Sequence, residues 1–331
     1  MLSVDVIAVL ALAALALAPV PARVDDGHAA WSAQGRYVAF DRLRQLGAGY
    51  SNTSIYVVRA DGRRLRRITP RSEPVDAFEP VWSPGGRWIA FVVASKYLPP
   101  RVWWMRRTGR EARTAVAGGD TSNTAVSPTW SPDGRRLAFG GRFAGRSGLY
   151  VADRNTGRIR LVAPGDVHAA AWAPDGRRIA FSDATSIALV PVNGGPVTRL
   201  PAPPGLVAWS PDGRRLAYAS VCSVGVVAVG TTGPPRQPPP CPPETETSLP
   251  SWSPDGRRLT YSNCRHLVCS VLVVPTGTPE AGAVYVARGR DPAWSPRGAT
   301  IAYSRLSREL EPVRIHLVRP DGTHDRPLVR G

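Results

Sequence analysis

Short apolar segments alternate with turn-forming residues along most of the chain, and the alternation itself repeats. A ten-residue phrase recurs seven times: a tryptophan, a short turn, basic residues and an apolar run, as in WSPDGRRLAF at Trp130. Proline at the second turn position and glycine at the fourth favour a type I turn closed by a left-handed residue, which is typical of a β-hairpin. In the strand after the turn, successive side chains point to opposite faces, and both faces are apolar. The pattern therefore predicts hairpins in sheets that are covered on both sides.

The spacing of the seven phrases predicts the architecture. They open at Trp31, Trp82, Trp130, Trp172, Trp209, Trp252 and Trp294. A period of about 40 to 45 residues is that of a four-stranded propeller blade. Each phrase is followed by a third apolar segment that ends in a glycine-containing turn and then by a short fourth one, whereas helical periodicity is absent beyond the N-terminus. We predict an all-β chain that forms a seven-bladed β-propeller of four-stranded antiparallel blades, in which the seven tryptophans are structural anchors that pack between blades.

The N-terminus predicts export. Residues 6–18, VIAVLALAALALA, form an apolar run of 13 residues, which is too short to span a bilayer comfortably but fits the core of a signal peptide. Small residues follow, so residues 1–22 are interpreted as a signal peptide and residues 23–331 as a single propeller domain. Asp5 and the lack of a basic residue before the run are atypical, and a misassigned start or an uncleaved anchor are the alternatives. No second long apolar segment follows, so we expect a secreted, periplasmic or cell-envelope protein without stable membrane insertion after processing.

The chain is strongly basic. It contains 42 Lys and Arg against 25 Asp and Glu, a formal net charge of +17, and Lys96 is its one lysine. This charge should attract acidic partners in a salt-dependent way. The arginines are spread over all repeats without a basic run, and no aromatic-with-basic groove is visible. We therefore expect a monomer whose partner is an acidic protein or cell-wall glycan, not a nucleic acid.

Four cysteines fall within one part of the chain, at Cys222, Cys241, Cys264 and Cys269. An even number of cysteines after a signal-like segment predicts two disulfides, although four cysteines allow three pairings. Loops that emerge on one face of a blade place Cys222 within reach of Cys241, while Cys264 and Cys269 share one loop. Zinc binding is the alternative, but the close Cys-x2-Cys pairs typical of zinc sites are missing, so disulfides are favoured.

The seven phrases resemble the WD-like Pro-Asp repeat of the TolB-type β-propeller. The resemblance extends over residues 29–329 and implies the propeller alone, without the N-terminal α/β domain of TolB. Propellers of this type serve as binding platforms, as substrate gates of serine peptidases and occasionally as lyases. The resemblance thus specifies the fold far better than the function.

Motifs of catalysis are missing from the sequence. There is no Gly-x-Ser-x-Gly elbow, no His-Glu-x-x-His motif and no phosphate-binding loop with a lysine. His28 and His168 lie shortly before anchor tryptophans, at the mouth of strands that would line the central channel. With Glu79 and Asp291 they form a conceivable metal set, for which ordinary polar lining of the channel is the preferred alternative. We predict no catalytic residue, no cofactor and no metal.

Together these observations favour an exported, non-catalytic binding or scaffold protein of the cell envelope, TolB-like in its propeller. The expected binding face carries the cysteines, the Pro-rich residues 233–243 and the long second-to-third loops at residues 41–53 and 95–100. The alternative is a propeller enzyme, of the polysaccharide lyase or lactonase type, with a metal in the central channel.

Overall fold

The computed structural model describes residues 24–45, 51–70, 76–95, 99–114, 124–234, 242–266, 268–277, 282–306 and 312–329. Within these ranges the regular structure is antiparallel β-sheet joined by turns. The same ranges contain no helix, and hence none that is long and apolar enough to cross a membrane. The chain is all-β, as the sequence predicts.

Each of the first four repeats forms one four-stranded sheet whose strands pair in chain order. The first sheet contains β1 (Val24–Trp31), β2 (Tyr37–Gln45), β3 (Ser51–Arg59) and β4 (Arg66–Arg67), and the second β5 (Asp76–Trp82), β6 (Trp88–Ala94), β7 (Arg101–Arg106) and β8 (Arg113–Thr114). The third contains β9 (Thr124–Trp130), β10 (Arg136–Phe143), β11 (Arg146–Asp153) and β12 (Ile159–Pro164), and the fourth β13 (Ala169–Trp172), β14 (Arg178–Ser182), β15 (Ile187–Pro191) and β16 (Thr198–Arg199).

The last three repeats depart from this plan. Repeat five has β17 (Leu206–Trp209), β18 (Arg215–Ala219) and β19 (Val224–Ala228), and repeat six has β20 (Thr245–Thr247), β21 (Ser251–Trp252), β22 (Arg258–Arg265) and β23 (Val268–Pro275). Repeat seven has β24 (Val284–Trp294), β25 (Ile301–Arg305), β26 (Arg314–Val318) and β27 (Arg326–Pro327). The first half of β24 pairs with β23 and the second half with β25, so repeats six and seven share one sheet.

Repeat five has three strands in the described part of the chain. Residues 235–241 lie outside that part, so a fourth strand in this blade stays a prediction. The sequence after β19 is rich in proline, which lacks the backbone N–H that a paired strand must donate. In repeats six and seven no turn separates the outer strand of one repeat from the inner strand of the next. The chain there continues as a single strand that bends at a register shift between Arg290 and Ala293.

The recurrent turn has the predicted hairpin geometry. In repeat three the amide of Gly134 donates to the Ser131 carbonyl oxygen at 2.8 Å, and Gly134 has the left-handed φ of 66°. The Ser131 hydroxyl is buried; it donates to the Asp133 carboxylate and accepts a bond from the Arg136 amide at 2.9 Å. Serine and aspartate thus close the turn from inside in the three repeats that have both, at Ser131, Ser210 and Ser253.

Neighbouring sheets are joined through the anchor tryptophans. Five of these seven indole N–H groups donate to the carbonyl oxygen just before the preceding repeat's tryptophan. The pairs are Trp31 with Ala293, Trp82 with Ala30, Trp130 with Val81, Trp209 with Ala171 and Trp252 with Ala208, at 2.9–3.1 Å. At the other two junctions the residue in the acceptor position carries a hydroxyl, which accepts a bond from the next tryptophan's backbone amide instead.

The second arginine of the phrase completes this junction. In four repeats its guanidinium lies over the indole ring of the following repeat, at 5.0–5.5 Å from the ring centroid. These pairs are Arg136 with Trp172, Arg178 with Trp209, Arg215 with Trp252 and Arg258 with Trp294. Cation–π contacts of this kind are worth about 0.5–2 kcal/mol each, depending on burial. The arginine therefore connects adjacent sheets and is not only a solvated turn residue.

The sheets close into a ring. The first strands contact one another in succession, and β1 contacts β24 and β25 of the last repeat. The Trp31–Ala293 hydrogen bond lies in this seam. One apolar core unites residues of the first sheet, such as Phe40 and Tyr56, with Ile315 and Leu317 of the last. This architecture is consistent with a β-propeller whose channel is lined by the first strands.

Candidate functional site

Four first strands have a bulge at one equivalent place, three positions before the anchor tryptophan. The bulge residues have left-handed backbones: His28 (φ 42°), Glu79 (55°), Ser127 (52°) and Asp291 (52°). The strand register shifts around each of them. Bulges re-aim side chains, and non-glycine residues in this conformation are held at an energetic cost, so the repeated bulge marks a candidate functional site.

The centre of this site is Asp41, in the middle of β2. Its Oδ2 lies 2.7 Å from His28 Nδ1 and accepts a bond from the Glu79 backbone amide at 3.1 Å. Gly27 makes room for it, because a Cβ on Gly27 would lie 2.6 Å from Asp41 Oδ1. Asp41 is buried, whereas 46% of the His28 side chain is accessible to solvent. We call His28, Asp41, Glu79 and Asp291 the channel-mouth cluster.

Electrostatics couple these four side chains. Burial by itself lowers the pKa of His28, but the hydrogen bond to Asp41 and the charges of Asp41, Asp291 and Glu79 together raise the pKa to about 9. His28 is therefore protonated at neutral pH. Burial, together with the charges of Asp41 and Asp291, raises the pKa of Glu79, against the opposing effect of His28.

The channel-mouth cluster has a surplus of negative charge on an otherwise basic protein, since three carboxyl groups surround one imidazolium. Such an arrangement favours an ammonium or guanidinium group of a ligand, while the exposed part of His28 offers an N–H donor. In the described ranges, no three His, Cys, Asp or Glu side chains are placed to hold a metal ion. The side chains of the channel-mouth cluster can supply ionic and hydrogen-bonded contacts to a cationic ligand group.

The structure places the sequence-predicted candidates unevenly. His28, Glu79 and Asp291 interact electrostatically, whereas His168 is exposed in repeat four, where its backbone carbonyl oxygen accepts a bond from Ser127 Oγ at 3.2 Å. Sequence reasoning missed Asp41, although its position directly after the apolar end of a second strand was a visible signal.

The cysteine prediction has a definite outcome for one pair. Cys264 and Cys269 form a disulfide between opposite positions of the β22–β23 hairpin. Cys222 lies in the loop between β18 and β19, and Cys241 lies outside the described residues, so their pairing stays a prediction. Of the seven anchor tryptophans, Trp130, Trp172, Trp252 and Trp294 are buried and the other three are partly buried.

Replacing Asp41 with asparagine should lower the pKa of His28 from about 9 towards or below 6.5, because burial would then be less opposed. Side-chain NMR titration of labelled histidine measures this directly. A raised histidine pKa contributes stability below about pH 6.5 that is lost as the pH rises through about 9. The difference in folding free energy between the wild type and Asp41→Asn should therefore decrease as the pH rises through about 9.

Glu244→Gln is the matched control, because Glu244 forms the same kind of contact with His266 at 2.6 Å on the open surface. It should leave the His28 titration unchanged. An unshifted His28 in Asp41→Asn would contradict the assigned role of Asp41.

Comparison with known proteins supports the fold. No protein-family description and no curated protein matches the chain. Among solved structures, oligogalacturonate lyase from Vibrio parahaemolyticus is similar with a TM-score of 0.63 and 13% identity, over 92% of each chain. TolB from Acinetobacter baumannii is similar with a TM-score of 0.53 and 18% identity, over 83% of this chain and 66% of TolB. A prolyl endopeptidase is similar with a TM-score of 0.67 and 17% identity, over 99% of this chain and 54% of the peptidase. These neighbours share a fold and include both enzymes and TolB, so they leave the activity of this chain open.

Proposed function

We propose that this protein is an exported, seven-bladed propeller that binds a protein or cell-wall glycan of the cell envelope and performs no chemistry on it. The seven recurrent phrases, one at each junction of a closed ring, support the blade count. The apolar leader of residues 1–22 supports export. The similarity to TolB at the level of the fold is compatible with a binding platform.

The binding face is the one that carries the channel-mouth cluster. His28 and Asp41 lie near the middle of β1 and β2, and β2 continues from Asp41, away from the recurrent turn, to the β2–β3 hairpin. The other hairpins that join second to third strands, including β10–β11 and the disulfide-closed β22–β23, emerge at the same end of the sheets. A rigid ring with long hairpins around a charged mouth suits the capture of a macromolecule.

The observation that carries the proposal is the bulge in β1, β5 and β24, which brings ionisable side chains from residues 28, 79 and 291 to one mouth. The net charge of +17 would draw an acidic partner to the surface. At the mouth, the surplus of carboxylates would select a cationic group on that partner. Attraction and selection are thus supplied by different parts of the molecule.

Affinity capture tests the proposal. Residues 23–331 are immobilised and exposed to cell-envelope extract, and the retained species are identified by mass spectrometry and glycan analysis. The double variant Glu79→Gln with Asp291→Asn should retain the specific partner about tenfold less, because two charges of the mouth are lost. The pair Asp61→Asn with Glu111→Gln, both exposed carboxylates outside the cluster, is the matched control and should retain it normally.

Equal retention by the wild type and the double mouth variant would contradict recognition through the cluster. A stoichiometric metal in the purified protein, together with cleavage of an acidic polysaccharide into unsaturated products, would contradict the non-catalytic assignment and favour the lyase alternative.

A further inference from the structure

We infer that the face formed by the recurrent turns docks on the surface of a membrane that contains anionic phospholipids, without inserting into the bilayer. This face lies at the opposite end of the sheets from the β2–β3 hairpin, and the inference does not depend on the channel-mouth cluster. It rests on three observations: the seven turns abut in a closed ring, six repeats carry an exposed arginine at one equivalent position, and few carboxylates offset this charge.

The recurrent turns contact one another all around the ring. In repeat three, a Cβ on Gly134 would lie 3.7 Å from Pro84 Cδ of the preceding turn. At two other junctions, a Cβ on Gly35 would lie 3.2 Å from Arg297 Cγ, and one on Gly86 would lie 2.8 Å from Gln34 Oε1. The remaining four junctions repeat the approach of glycine to proline at 3.7–3.8 Å: Gly176 to Pro132, Gly213 to Pro174, Gly256 to Pro211 and Gly298 to Pro254. These equivalent contacts place the tips of the turns in one layer.

An exposed arginine follows the turn glycine in six of the seven repeats. We call these residues the arginine collar: Arg36, Arg87, Arg135, Arg177, Arg214 and Arg257. Within the described part of the chain, their guanidinium groups form no hydrogen bond and no ion pair. The second arginine of the phrase, by contrast, stacks over the next tryptophan in four repeats. The donors of the collar are thus available to anions outside the protein.

Carboxylates offset only part of this charge. The seven turns, counted from the residue after the tryptophan to the second arginine position, contain eleven arginines and four aspartates. An aspartate of the turn bonds to its own backbone: Asp133 Oδ1 accepts a bond from the Arg135 amide at 3.0 Å. The aspartate position is occupied by Arg297 in repeat seven, Gln34 in repeat one and Gly85 in repeat two. The turns of three consecutive repeats therefore form a basic arc without a carboxylate.

The turn between β3 and β4 extends the basic arc outward. Arg59, the last residue of β3, pairs with Tyr37, the first residue of β2, so this turn lies beside the recurrent turn of repeat one. Arg63 and Arg64 in the β3–β4 turn are exposed. The carboxylate of the same turn, Asp61, pairs with Arg59 at 3.0 Å. The positive surface is therefore wider than the ring of tips.

A planar anionic surface fits this arrangement. Because the tips lie in one layer, a bilayer surface can approach several arginines of the collar at once, whereas a linear polyanion follows only part of a ring. A second copy of a chain with net charge +17 would be repelled. Of the large apolar side chains that are exposed in the described ranges, none belongs to a recurrent turn, so we expect electrostatic docking without insertion. Each arginine near anionic lipids adds to the attraction, which salt screens.

Vesicle sedimentation tests the inference on the mature chain, residues 23–331. The wild type should bind vesicles that contain phosphatidylglycerol, release them as the salt concentration rises, and leave vesicles of phosphatidylcholine alone unbound. The triple variant Arg36→Gln, Arg87→Gln and Arg135→Gln should lower the partition coefficient at least about tenfold. Lysine at the same three positions keeps the charge and should preserve binding.

The matched control is the triple variant Arg142→Gln, Arg146→Gln and Arg265→Gln. It removes the same charge from exposed arginines at the β10–β11 and β22–β23 hairpins, at the other end of the sheets. It should bind the vesicles like the wild type. The mouth variant Glu79→Gln with Asp291→Asn should bind them no more weakly, so failure here is distinguishable from failure of the proposed function.

Equal loss of binding in the two glutamine triple variants would overturn the inference, because the attraction would then come from the net charge of the whole protein. Equal binding to phosphatidylcholine vesicles would also overturn it, and so would loss of binding in the lysine variant. Tighter binding to a soluble acidic polysaccharide than to vesicles at the same concentration of negative charge, abolished by the collar variant, would identify a linear polyanion as the occupant and overturn the inference as well.

Discussion

Replacing Asp26 with alanine is expected to cost about 3–5 kcal/mol of folding free energy, the range for breaking a buried ion pair by removing one partner. Asp26 and Arg42 are both buried, and the guanidinium donates two hydrogen bonds to the carboxylate, at 2.6 and 3.0 Å. The same guanidinium lies over the rings of Phe40 and Tyr56, and only 10% of the Arg42 side chain is accessible to solvent. Without Asp26 it would stay buried and unpaired.

The location makes this pair important for the ring. The Asp26 amide donates to the Val313 carbonyl oxygen at 3.0 Å, and Arg314 donates to the Val24 carbonyl oxygen at 2.6 Å, both across the seam between first and last repeats. The loss of folding free energy in Asp26→Ala should therefore appear as a lower unfolding midpoint in denaturant and as faster hydrogen exchange in β1 and β26.

Asp61→Ala provides the matched control. Asp61 also pairs with an arginine, Arg59, at 3.0 Å, but on the exposed surface, where solvent screening makes such a pair contribute far less to folding. The double variant Asp26→Leu with Arg42→Met should recover much of the loss, because it removes both buried charges together. If Asp26→Ala and Asp61→Ala cost the same, the ion pair does not stabilise the seam.

Local chemistry explains why so much of the fold was predictable from the sequence. The Ser-Pro-Asp-Gly turn encodes its own conformation through the fixed φ of proline and the freedom of Gly134. The turn also sets the register of the adjoining strands. The all-β class could therefore be predicted directly from the phrase and from the spacing of its tryptophans. The strands of repeat three extend beyond their apolar cores, to Phe143 in β10 and from Arg146 in β11. Polar residues extend a paired hairpin without any apolar signal in the sequence.

The candidate site was harder to predict because it depends on contacts between distant residues. Asp41 acts on His28 and Glu79 from another strand, and the left-handed bulge that aims them has no single sequence signature. The stacking of Arg136 over Trp172 also joins different repeats, so the phrase of a single repeat could not predict it.

Truncation of Trp130 to alanine is the second large effect, at about 3–5 kcal/mol. Trp130 packs with Leu137 and Phe139 of its own sheet and with Trp104 of the preceding one. Its indole N–H donates to the Val81 carbonyl oxygen at 3.1 Å. Removing the ring would leave a cavity at the junction of two sheets, and equilibrium denaturation measures the loss. A cost within that of an ordinary surface substitution, about 0.5 kcal/mol, would contradict the anchor role.

Phenylalanine substitutions separate the packing of the ring from its hydrogen bond. Trp130→Phe should cost about 1–2 kcal/mol, because the partly buried Val81 carbonyl loses its donor. Trp172 is equally buried, at 6% against 7%, but its indole N–H has no hydrogen-bond partner among the described residues. Trp172→Phe removes that unsatisfied donor while weakening the cation–π contact with Arg136, so its net effect should be close to zero. Equal costs for the two variants would mean that the indole-to-carbonyl bond does not hold adjacent sheets together, and the stability of the ring would then rest on apolar packing alone.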